Sequence, residues 1–178
     1  MSSFAIVARS TILQSFVFNV ETRTIAGLNE TFTRDVVTHP GAVAIVAVNA
    51  KGEVALLSQY RAALDIDNLE IPAGTCDIGG EDTLTTAQRE LSEEIGGSST
   101  QWSLIARFYN SPGWTDQETF VYLAERCIFR EASPDGPEES AMSLQWKSAS
   151  EIRELLQAGG TLDGTATIGL YAWLALQH

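Results

Sequence analysis

Basic residues are scarce in this chain. Its 178 residues include 11 lysines and arginines against 23 aspartates and glutamates, which gives a formal net charge of −12. A strongly acidic surface repels the phosphates of nucleic acids and the headgroups of anionic membranes. We therefore expect neither a nucleic-acid partner nor a membrane partner. The charge does not exclude a small phosphorylated substrate, because a bound metal ion can neutralise such a substrate locally.

Cysteines and long apolar runs are also few. Cys76 and Cys127 are the only cysteines, which is too few for a disulfide framework, and we predict that Cys127 is a small strand residue. No apolar run is long enough to span a membrane, and the first ten residues do not have the pattern of a signal peptide. We expect a cytoplasmic protein made of one domain with a small appendage.

The clearest helical pattern covers residues 83–95. Asp82 or Thr83 can cap the start of this helix, and Gly96 and Gly97 can end it. Four apolar residues recur at spacings of three or four and form one stripe: Leu84, Ala87, Leu91 and Ile95. The pattern therefore predicts a helix that packs one face on a core.

Three glutamates of this helix crowd a face beside the apolar stripe. Glu90, Glu93 and Glu94 are three and four residues apart, so their carboxylates lie on one turn and repel one another. Such a face is either simply solvated or binds a cation, and hard divalent cations such as Mg²⁺ prefer carboxylate and phosphate oxygens. Residues 70–74, Glu-Ile-Pro-Ala-Gly, favour a cation site because they bring a strand end and a Gly-rich loop to the helix.

The segment 70–97 resembles the signature of the Nudix hydrolases. It contains Gly74, Glu81 and then Arg-Glu-Leu-Ser-Glu-Glu-Ile-Gly, in the order of the family pattern. There are two departures: six residues instead of five separate Gly74 from Glu81, and Gly97 stands where an apolar residue is usual. The extra residue falls in a loop, which can absorb it without moving the helix. We expect Gly74 to allow a backbone turn that a side chain would hinder.

The resemblance implies a metal-dependent active site on this helix. In that family the chief metal ligands would be Glu90 and Glu94, with the Ala73 carbonyl and Glu93, and the metal would be Mg²⁺ or Mn²⁺. Arg89 would orient the glutamates, and Arg89 and Glu93 are our candidate catalytic residues on the helix. The metal would polarise phosphoryl oxygens and lower the pKa of a bound water, so that hydroxide forms near neutral pH.

The resemblance also implies the fold. We expect the α/β Nudix fold, an α/β/α sandwich with a mixed sheet, over residues 40–178. The continuous apolar run 42–48 is predicted to be a buried central strand, and residues 62–68 a connecting loop. At the end, Ser148-x-x-Glu is a capping-box pattern that opens a helix. The last helix, 163–177, is predicted to pack through four residues: Ile168, Tyr171, Leu174 and Ala175.

Residues 1–39 are predicted to form a small N-terminal antiparallel β-subdomain. Its predicted strands are 4–7, 11–20 and 31–38. Phe16 and Phe18 would share one face of the second strand, as a period of two requires. In ADP-ribose pyrophosphatases such a subdomain exchanges between subunits, so the resemblance implies a homodimer.

Two further segments resemble ADP-ribose pyrophosphatases in particular. A Gln-aromatic-Arg triplet ends in Arg61, ahead of Glu70, which implies that these two residues face the substrate, whereas a lone arginine at a strand end is more often a solvated charge. Residues 111–116, Ser-Pro-Gly-Trp-Thr-Asp, resemble the family's substrate loop. Trp114 beside Pro112 offers a stacking surface for a base or ring. From the residues alone, packing on the rim of the loop is an equal alternative.

The catalytic base is open at this stage. The substrate loop of that family often carries a glutamate as base, but Gln117 stands at that position here, and an amide cannot take a proton from water. Glu118 follows directly and is our first candidate. Glu139, in a second acidic loop over 131–140, is the second candidate.

The resemblance implies hydrolysis of a nucleoside diphosphate derivative, with ADP-ribose giving AMP and ribose 5-phosphate as the favoured reaction. One alternative is another nucleotide sugar or a dinucleotide as substrate. A second alternative, which Gln117 favours, is a non-catalytic nucleotide-sugar binding protein. The complete set of carboxylates in the signature argues against a pure binder, since binding alone would not need all of them.

Overall fold

A computed structural model describes residues 3–130, 132, 141–159 and 162–177 of the chain. The chain divides into two compact units, which are residues 1–41 with 108–118 and residues 42–107 with 119–178. The boundary after residue 39 stays a prediction, and the structure groups the segment 108–118 with the N-terminal unit. Within the described ranges, no helix has the length and apolar character that crossing a membrane requires.

The N-terminal unit contains a three-stranded antiparallel sheet, as predicted. Its strands, in spatial order, are β1 (Phe4–Gln14), β2 (Asn19–Gly27) and β3 (Glu30–Thr38). Leu28 and Asn29 connect β2 to β3 with φ angles of 51° and 65°. Positive φ at both central residues gives the two-residue turn that matches the twist of a hairpin.

The predicted bounds 4–7 and 11–20 are wrong, because residues 4–14 form one strand and the next strand begins at Asn19. Strand β1 ends at Gln14, and the Ser15 N–H donates to the Phe18 carbonyl at 3.0 Å to close a turn. Phe16 and Phe18 therefore do not share a strand face, and Phe16 is 99% exposed. The turn has no Gly, Pro or Asn at its centre to mark it, so the run of β-favouring residues concealed it.

In the second unit, eight described strands form one mixed sheet. They are β4 (Ala42–Asn49), β5 (Val54–Arg61), β6 (Ile66–Glu70), β7 (Ala73–Thr75), β8 (Gly97–Ser98), β9 (Gln101–Tyr109), β10 (Glu118–Phe129) and β11 (Ser143–Lys147). The main order is β11-β5-β4-β10-β8, with β6 beside β5, β7 beside β4 and β9 beside β10. Strands β4 and β10 are parallel, whereas β4 pairs antiparallel with β5 and β7. Strand β4 is the buried central strand that the apolar run predicts.

Three helices are described, and two of them cover opposite faces of the sheet. They are α1 (Thr83–Ile95), α2 (Ala149–Gln157) and α3 (Gly164–Ala175). On one face, Val43 and Ile45 of β4 share a buried cluster with Leu91 of α1. On the other face, a Cβ added to Gly169 of α3 would lie 3.4 Å from Val46. Successive side chains of β4 thus point alternately towards α1 and α3, and the predicted α/β/α sandwich is confirmed.

The N-terminal cap of α2 agrees with the sequence prediction, but the packing face of α3 does not. Ser148 and Glu151 form the predicted capping box of α2. The buried residues of α3 are Ala166, Gly169, Leu170 and Trp173, whereas Ile168 and Tyr171 are exposed. The prediction was wrong because α3 is apolar almost all round, so periodicity does not select a face. The small side chains of Ala166 and Gly169 permit the close approach.

Candidate active site

Helix α1 holds the acidic residues in a fixed place. Asp82 is its N-cap and accepts a hydrogen bond from the Thr85 N–H at 2.7 Å. Gly96 ends the helix in the left-handed region with φ of 63°, where glycine carries no steric penalty. The helix bounds and both caps are therefore confirmed as predicted.

Glu90 lies directly against the backbone of Gly74. A Cβ added to Gly74 would be 2.0 Å from the Glu90 Cδ and 2.1 Å from its Oε1. Gly74 lies in strand β7 rather than in a turn, so it is required for space and not for backbone conformation. Glu90 is 9% exposed, and its carboxylate is thus confined between α1 and β7.

Glu94, one helical turn later, also rests on β7. Its Oε2 accepts a hydrogen bond from the Ala73 N–H at 3.1 Å, and the residue is 9% exposed. Strand β7 is itself fixed by pairing with β4, where Ala73 is opposite Ala44. The structure therefore brings together Glu90, Glu94 and the Ala73–Gly74 backbone, which the sequence predicts as one site.

Arg89 lies among four carboxylates. Its Nη1 is 2.9 Å from both Glu90 Oε1 and Glu93 Oε2, its Nε is 3.4 Å from Glu81 Oε2, and its Nη2 is 3.9 Å from Asp77 Oδ1. Burial on its own would lower the pKa of Arg89, but the surrounding carboxylates outweigh burial and leave that pKa raised. The guanidinium offsets the repulsion among the glutamates and restricts where their oxygens can point.

Thr86 is a supporting residue that the sequence reasoning missed. Its side chain is fully buried and donates from Oγ1 to Glu81 Oε2 at 3.0 Å. Glu81 is thus held between Thr86 and Arg89, at the start of the helix. A threonine inside a helix carries no pattern that distinguishes this role from ordinary packing.

Arg61 and Glu70 form a two-point ion pair in the same unit. Arg61 donates from Nε to Glu70 Oε1 at 2.8 Å and from Nη2 to Oε2 at 2.6 Å. The hydrogen bond to Glu70 raises the pKa of Arg61, and the nearby Glu94 and Asp163 carboxylates add to the effect against the opposing effect of burial. The charge of Glu94 thus links the pair electrostatically to the acidic helix. That the pair faces substrate stays a prediction.

The loop predicted over residues 62–68 is shorter than expected. Strand β6 begins at Ile66 and pairs with β5, so Asn68 is a strand residue. Asn68 donates from Nδ2 to Glu70 Oε1 at 3.1 Å. The short polar stretch Asp-Ile-Asp-Asn has low strand propensity, and pairing with β5 overrides it.

Asp163 completes this acidic surround, and the sequence reasoning did not assign it to the site. It caps α3 by accepting a hydrogen bond from the Ala166 N–H at 2.7 Å. Burial raises the pKa of Asp163, and the Glu70 charge adds to the effect. A pKa raised by folding means that this carboxyl favours the folded state below its unfolded pKa of about 3.9, and that the benefit is lost as pH rises through the folded pKa.

We expect Asp163→Asn to raise the free energy of unfolding at pH 7, because Asn keeps the cap and removes the buried charge. The stability of the variant should also fall less than that of the wild type between pH 4 and 7. Urea unfolding across this range measures both. Asp163→Ala is the matched variant: it removes the same charge and also the cap, so it should be about 1 kcal/mol less stable than D163N. A D163N protein less stable than wild type at pH 7 would contradict the burial argument.

The predicted substrate loop belongs to the N-terminal unit, where Asp116 fixes it. Asp116 accepts from Arg23 Nη2 at 2.7 Å and from the His39 N–H at 3.0 Å. The loop backbone is also hydrogen-bonded to β3. The Val37 N–H donates to the Trp114 carbonyl at 2.8 Å, and the Asp116 N–H donates to the Val37 carbonyl at 3.2 Å. Arg23 was missed in the sequence because its partner is 93 residues away.

A cavity of about 210 Å³ opens between this loop and the sheet. Its walls include Arg23, Val36, Tyr109, Pro112 and Trp114. Trp114 is 57% exposed, so much of its ring surface is available to a stacking partner. The assignment of Pro112 and Trp114 to substrate binding stays a prediction.

Of the two candidate catalytic bases, Glu118 is among the residues that the structure describes. Glu118 is half-buried and opens strand β10. Gln117 is tied into the loop, where its N–H donates to Thr115 Oγ1 at 3.2 Å and its carbonyl accepts from the Asn110 N–H at 3.1 Å. Glu139 lies outside the described residues. The choice between Glu118 and Glu139 stays a prediction.

Comparison with known proteins identifies the family. The NUDIX domain model matches residues 38–163. This chain belongs to the Nudix family. The ADP-ribose pyrophosphatase of Mycobacterium tuberculosis is 36% identical over 142 residues, which are 79% of this chain and 68% of that protein. The ADP-ribose pyrophosphatase of Bacillus subtilis is 34% identical over 130 residues, which are 73% of this chain and 70% of that protein.

The fold comparison agrees. A solved structure of an ADP compounds hydrolase matches this Nudix protein with a TM-score of 0.84 at 20% identity, over 99% of this chain and 97% of that chain. The resemblance seen in segment 70–97 is thus confirmed, as are the Nudix fold and the class of Nudix pyrophosphohydrolase.

The donor set of the Nudix helix suits a hard divalent cation. Glu90, Glu93 and Glu94 offer carboxylate oxygens and Ala73 offers a carbonyl, which are the ligands that Mg²⁺ and Mn²⁺ prefer. In the described part of the chain, no three His, Cys, Asp or Glu side chains are already arranged as a metal site. Arg89 contacts one oxygen each of Glu90 and Glu93. The donor chemistry therefore fits the cation.

Proposed function

We propose that this Nudix pyrophosphohydrolase is metal-dependent and hydrolyses ADP-ribose to AMP and ribose 5-phosphate. The observation that carries the proposal is the pair of buried glutamates, Glu90 and Glu94, held against the Ala73–Gly74 backbone. Two acidic groups confined in this way have a chemical use when they hold a cation beside a diphosphate. The choice of ADP-ribose is supported by the relatives that carry that activity in their names, at 36% and 34% identity.

Each residue then has a separate task. Glu90, Glu94 and the Ala73 carbonyl would hold Mg²⁺ or Mn²⁺, with Glu93 as a further ligand. The cation supplies Lewis-acid stabilisation of the diphosphate and makes a water more acidic. Arg89 orients the glutamates.

Arg61 and the base complete the reaction. The Arg61 N–H groups that Glu70 does not use would bind the diphosphate. In the reaction a water oxygen bonds to phosphorus, the bridging P–O bond breaks, and its electron pair leaves with the second phosphate. The proton of the water passes to the base, which we place at Glu118 first and Glu139 second. Pro112 and Trp114 would contact the nucleoside or the terminal ribose by stacking.

The test is chromatographic detection of the hydrolysis products of a substrate panel, with AMP and ribose 5-phosphate expected from ADP-ribose. We expect turnover of ADP-ribose with Mg²⁺ to exceed that of GDP-mannose, ADP-glucose, NADH and 8-oxo-dGTP, and a chelator to abolish it. A different preferred compound would keep the reaction and replace the substrate. Tight, metal-independent binding without turnover of any compound would instead support the nucleotide-sugar binder that Gln117 favours.

The N-terminal sheet supports a second proposal, that the protein is a homodimer. Five apolar residues of β1 are 44–60% exposed: Phe4, Ile6, Val7, Ile12 and Leu13. A small sheet of three strands that leaves such residues in water gains stability when a partner covers them. Light scattering coupled to gel filtration should give twice the chain mass of 19.3 kDa. A monomeric mass at micromolar concentration would exclude the dimer.

A further inference from the structure

Asn68 lies between the two members of the Arg61–Glu70 pair. In the β5–β6 hairpin, Asn68 is opposite Gln59 and Glu70 is opposite Leu57. Because residues two apart share a face of a strand, Arg61 is on the same face as Gln59, and Asn68 is on the same face as Glu70. The Arg61 side chain therefore passes the position of Asn68 to reach Glu70.

The amide of Asn68 acts as a buried hydrogen-bond donor to Glu70. It is 3% exposed and donates from Nδ2 to Glu70 Oε1 at 3.1 Å, the same oxygen that receives Arg61 Nε at 2.8 Å. A carboxylate oxygen only accepts hydrogen bonds, so the amide must present its NH₂ group there. Glu70 is 6% exposed, and a buried carboxylate is costly unless donors fix it. Asn68 is thus an uncharged donor that fixes the orientation of Glu70.

The orientation of Glu70 in turn sets the direction of Arg61. Glu70 takes Nε and Nη2 of the guanidinium, which leaves the Nη1 edge directed away from the pair. The Arg61 side chain is 43% exposed, so this edge has access to a ligand. A guanidinium held at two points offers a defined fork to an anion, whereas an unheld one must lose side-chain entropy on binding.

The charges around the pair explain why a neutral donor is needed. Three negative charges raise the pKa of Arg61: Glu70 of β6, Glu94 of α1 and Asp163 at the start of α3. The charges of Glu94 and Asp163 therefore add to that of Glu70. A fourth negative charge at position 68 would compete with Glu70 for Arg61 and repel Glu70.

We propose that Asn68 is a positioning residue that sets substrate affinity, because it holds Glu70 so that Arg61 presents its free edge to the diphosphate. The proposal rests on the proposed function, in which Arg61 binds the diphosphate. It adds a residue outside the signature segment and assigns it to binding rather than to the chemical step.

The test uses Asn68→Asp, which changes the shape of the side chain very little. At pH 8 we expect KM for ADP-ribose to rise on the order of 10-fold relative to wild type, since one hydrogen bond to a charged group is lost, while kcat changes less than twofold. As pH falls towards 5, protonation of the introduced aspartate restores a donor to Glu70. The KM ratio of variant to wild type should then return towards 1.

Two companion variants separate positioning from packing. Asn68→Leu has similar volume and no donor, so its KM ratio should be raised equally at every pH. Asn68→Ser keeps a short donor, so its KM for ADP-ribose should lie between that of N68L and that of the wild type. A wild-type KM for N68D and N68L at pH 8 would overturn the proposal. A fall in kcat together with a rise in KM in both variants, at every pH and with a lower Tm, would also overturn the proposal. That combination would indicate a structural role for Asn68.

The proposed function can fail separately. If the wild type does not hydrolyse ADP-ribose, calorimetric Kd values for ADP-ribose replace KM, and the same pH-dependent ratio in N68D still supports the role of Asn68. If the wild type hydrolyses ADP-ribose and the Asn68 variants match it, only the positioning proposal is wrong. Absence of both binding and turnover in the wild type overturns both.

Discussion

Glu94→Gln is expected to lower kcat/KM for the preferred substrate on the order of 10³-fold, about 4 kcal/mol of transition-state stabilisation. The substitution removes a negative charge from the proposed metal site and changes little else. Glu94 accepts a hydrogen bond from the Ala73 N–H, and the carbonyl oxygen of a glutamine can accept the same bond. We therefore expect the far-UV circular dichroism and the Tm of the variant to match the wild type.

The matched control for Glu94→Gln is Glu154→Gln. Glu154 is an exposed glutamate on helix α2, so the same change of charge there should leave kcat/KM unaltered. Titration of Mg²⁺ during the assay adds a second readout, because loss of a ligand raises the metal concentration needed for half-maximal rate. Turnover by E94Q at the wild-type rate and metal dependence would remove Glu94 from the site.

Gly74→Ala is expected to cost nearly as much activity, on the order of 10²-fold, because of space. The added Cβ would fall 2.0 Å from the Glu90 Cδ, a distance that two non-bonded carbon atoms cannot adopt. Glu90 must leave its position, or strand β7 must move away from α1. Both responses displace a proposed metal ligand, and overpacking should also lower the free energy of unfolding by about 1–3 kcal/mol.

Gly79→Ala is the control in the same stretch of chain. An added Cβ at Gly79 has no atom within 4 Å, and its φ is outside the left-handed region. We expect G79A to keep wild-type rate and stability. Steady-state kinetics and urea unfolding on both variants decide the matter. If G74A were as active as G79A, the confinement of Glu90 between α1 and β7 would have no catalytic importance.

Local sequence patterns predicted the parts of this protein that local interactions determine. Helix α1 and its caps follow from residues within one or two turns of each other, as does the capping box at Ser148. The burial of β4 follows from an apolar run that has no polar residue to expose. The cluster of Glu90, Glu94 and Ala73 was predicted for a different reason, since it came from the family signature.

The missed features depend on partners that are distant in sequence. Asn68 became a strand residue because β5 lies beside it, and Asp163 entered the site because α3 starts near Glu70. Arg23 has no local pattern that pairs it with Asp116. Even Gly74 was assigned the wrong reason, because the need for space becomes visible only when Glu90 is placed against it.

Residues 108–118 interrupt the second unit in sequence, which limits how segments of this chain can be exchanged with those of a relative. Residues 1–41 and 108–118 form one unit, in which Arg23 holds Asp116. A chimera that exchanges only the first 41 residues with a relative would combine a foreign sheet with the original loop and disrupt that match. The loop can therefore be transplanted with its Arg23 contact intact only when two grafts are made together, because an exchange at a single point would separate Arg23 from Asp116.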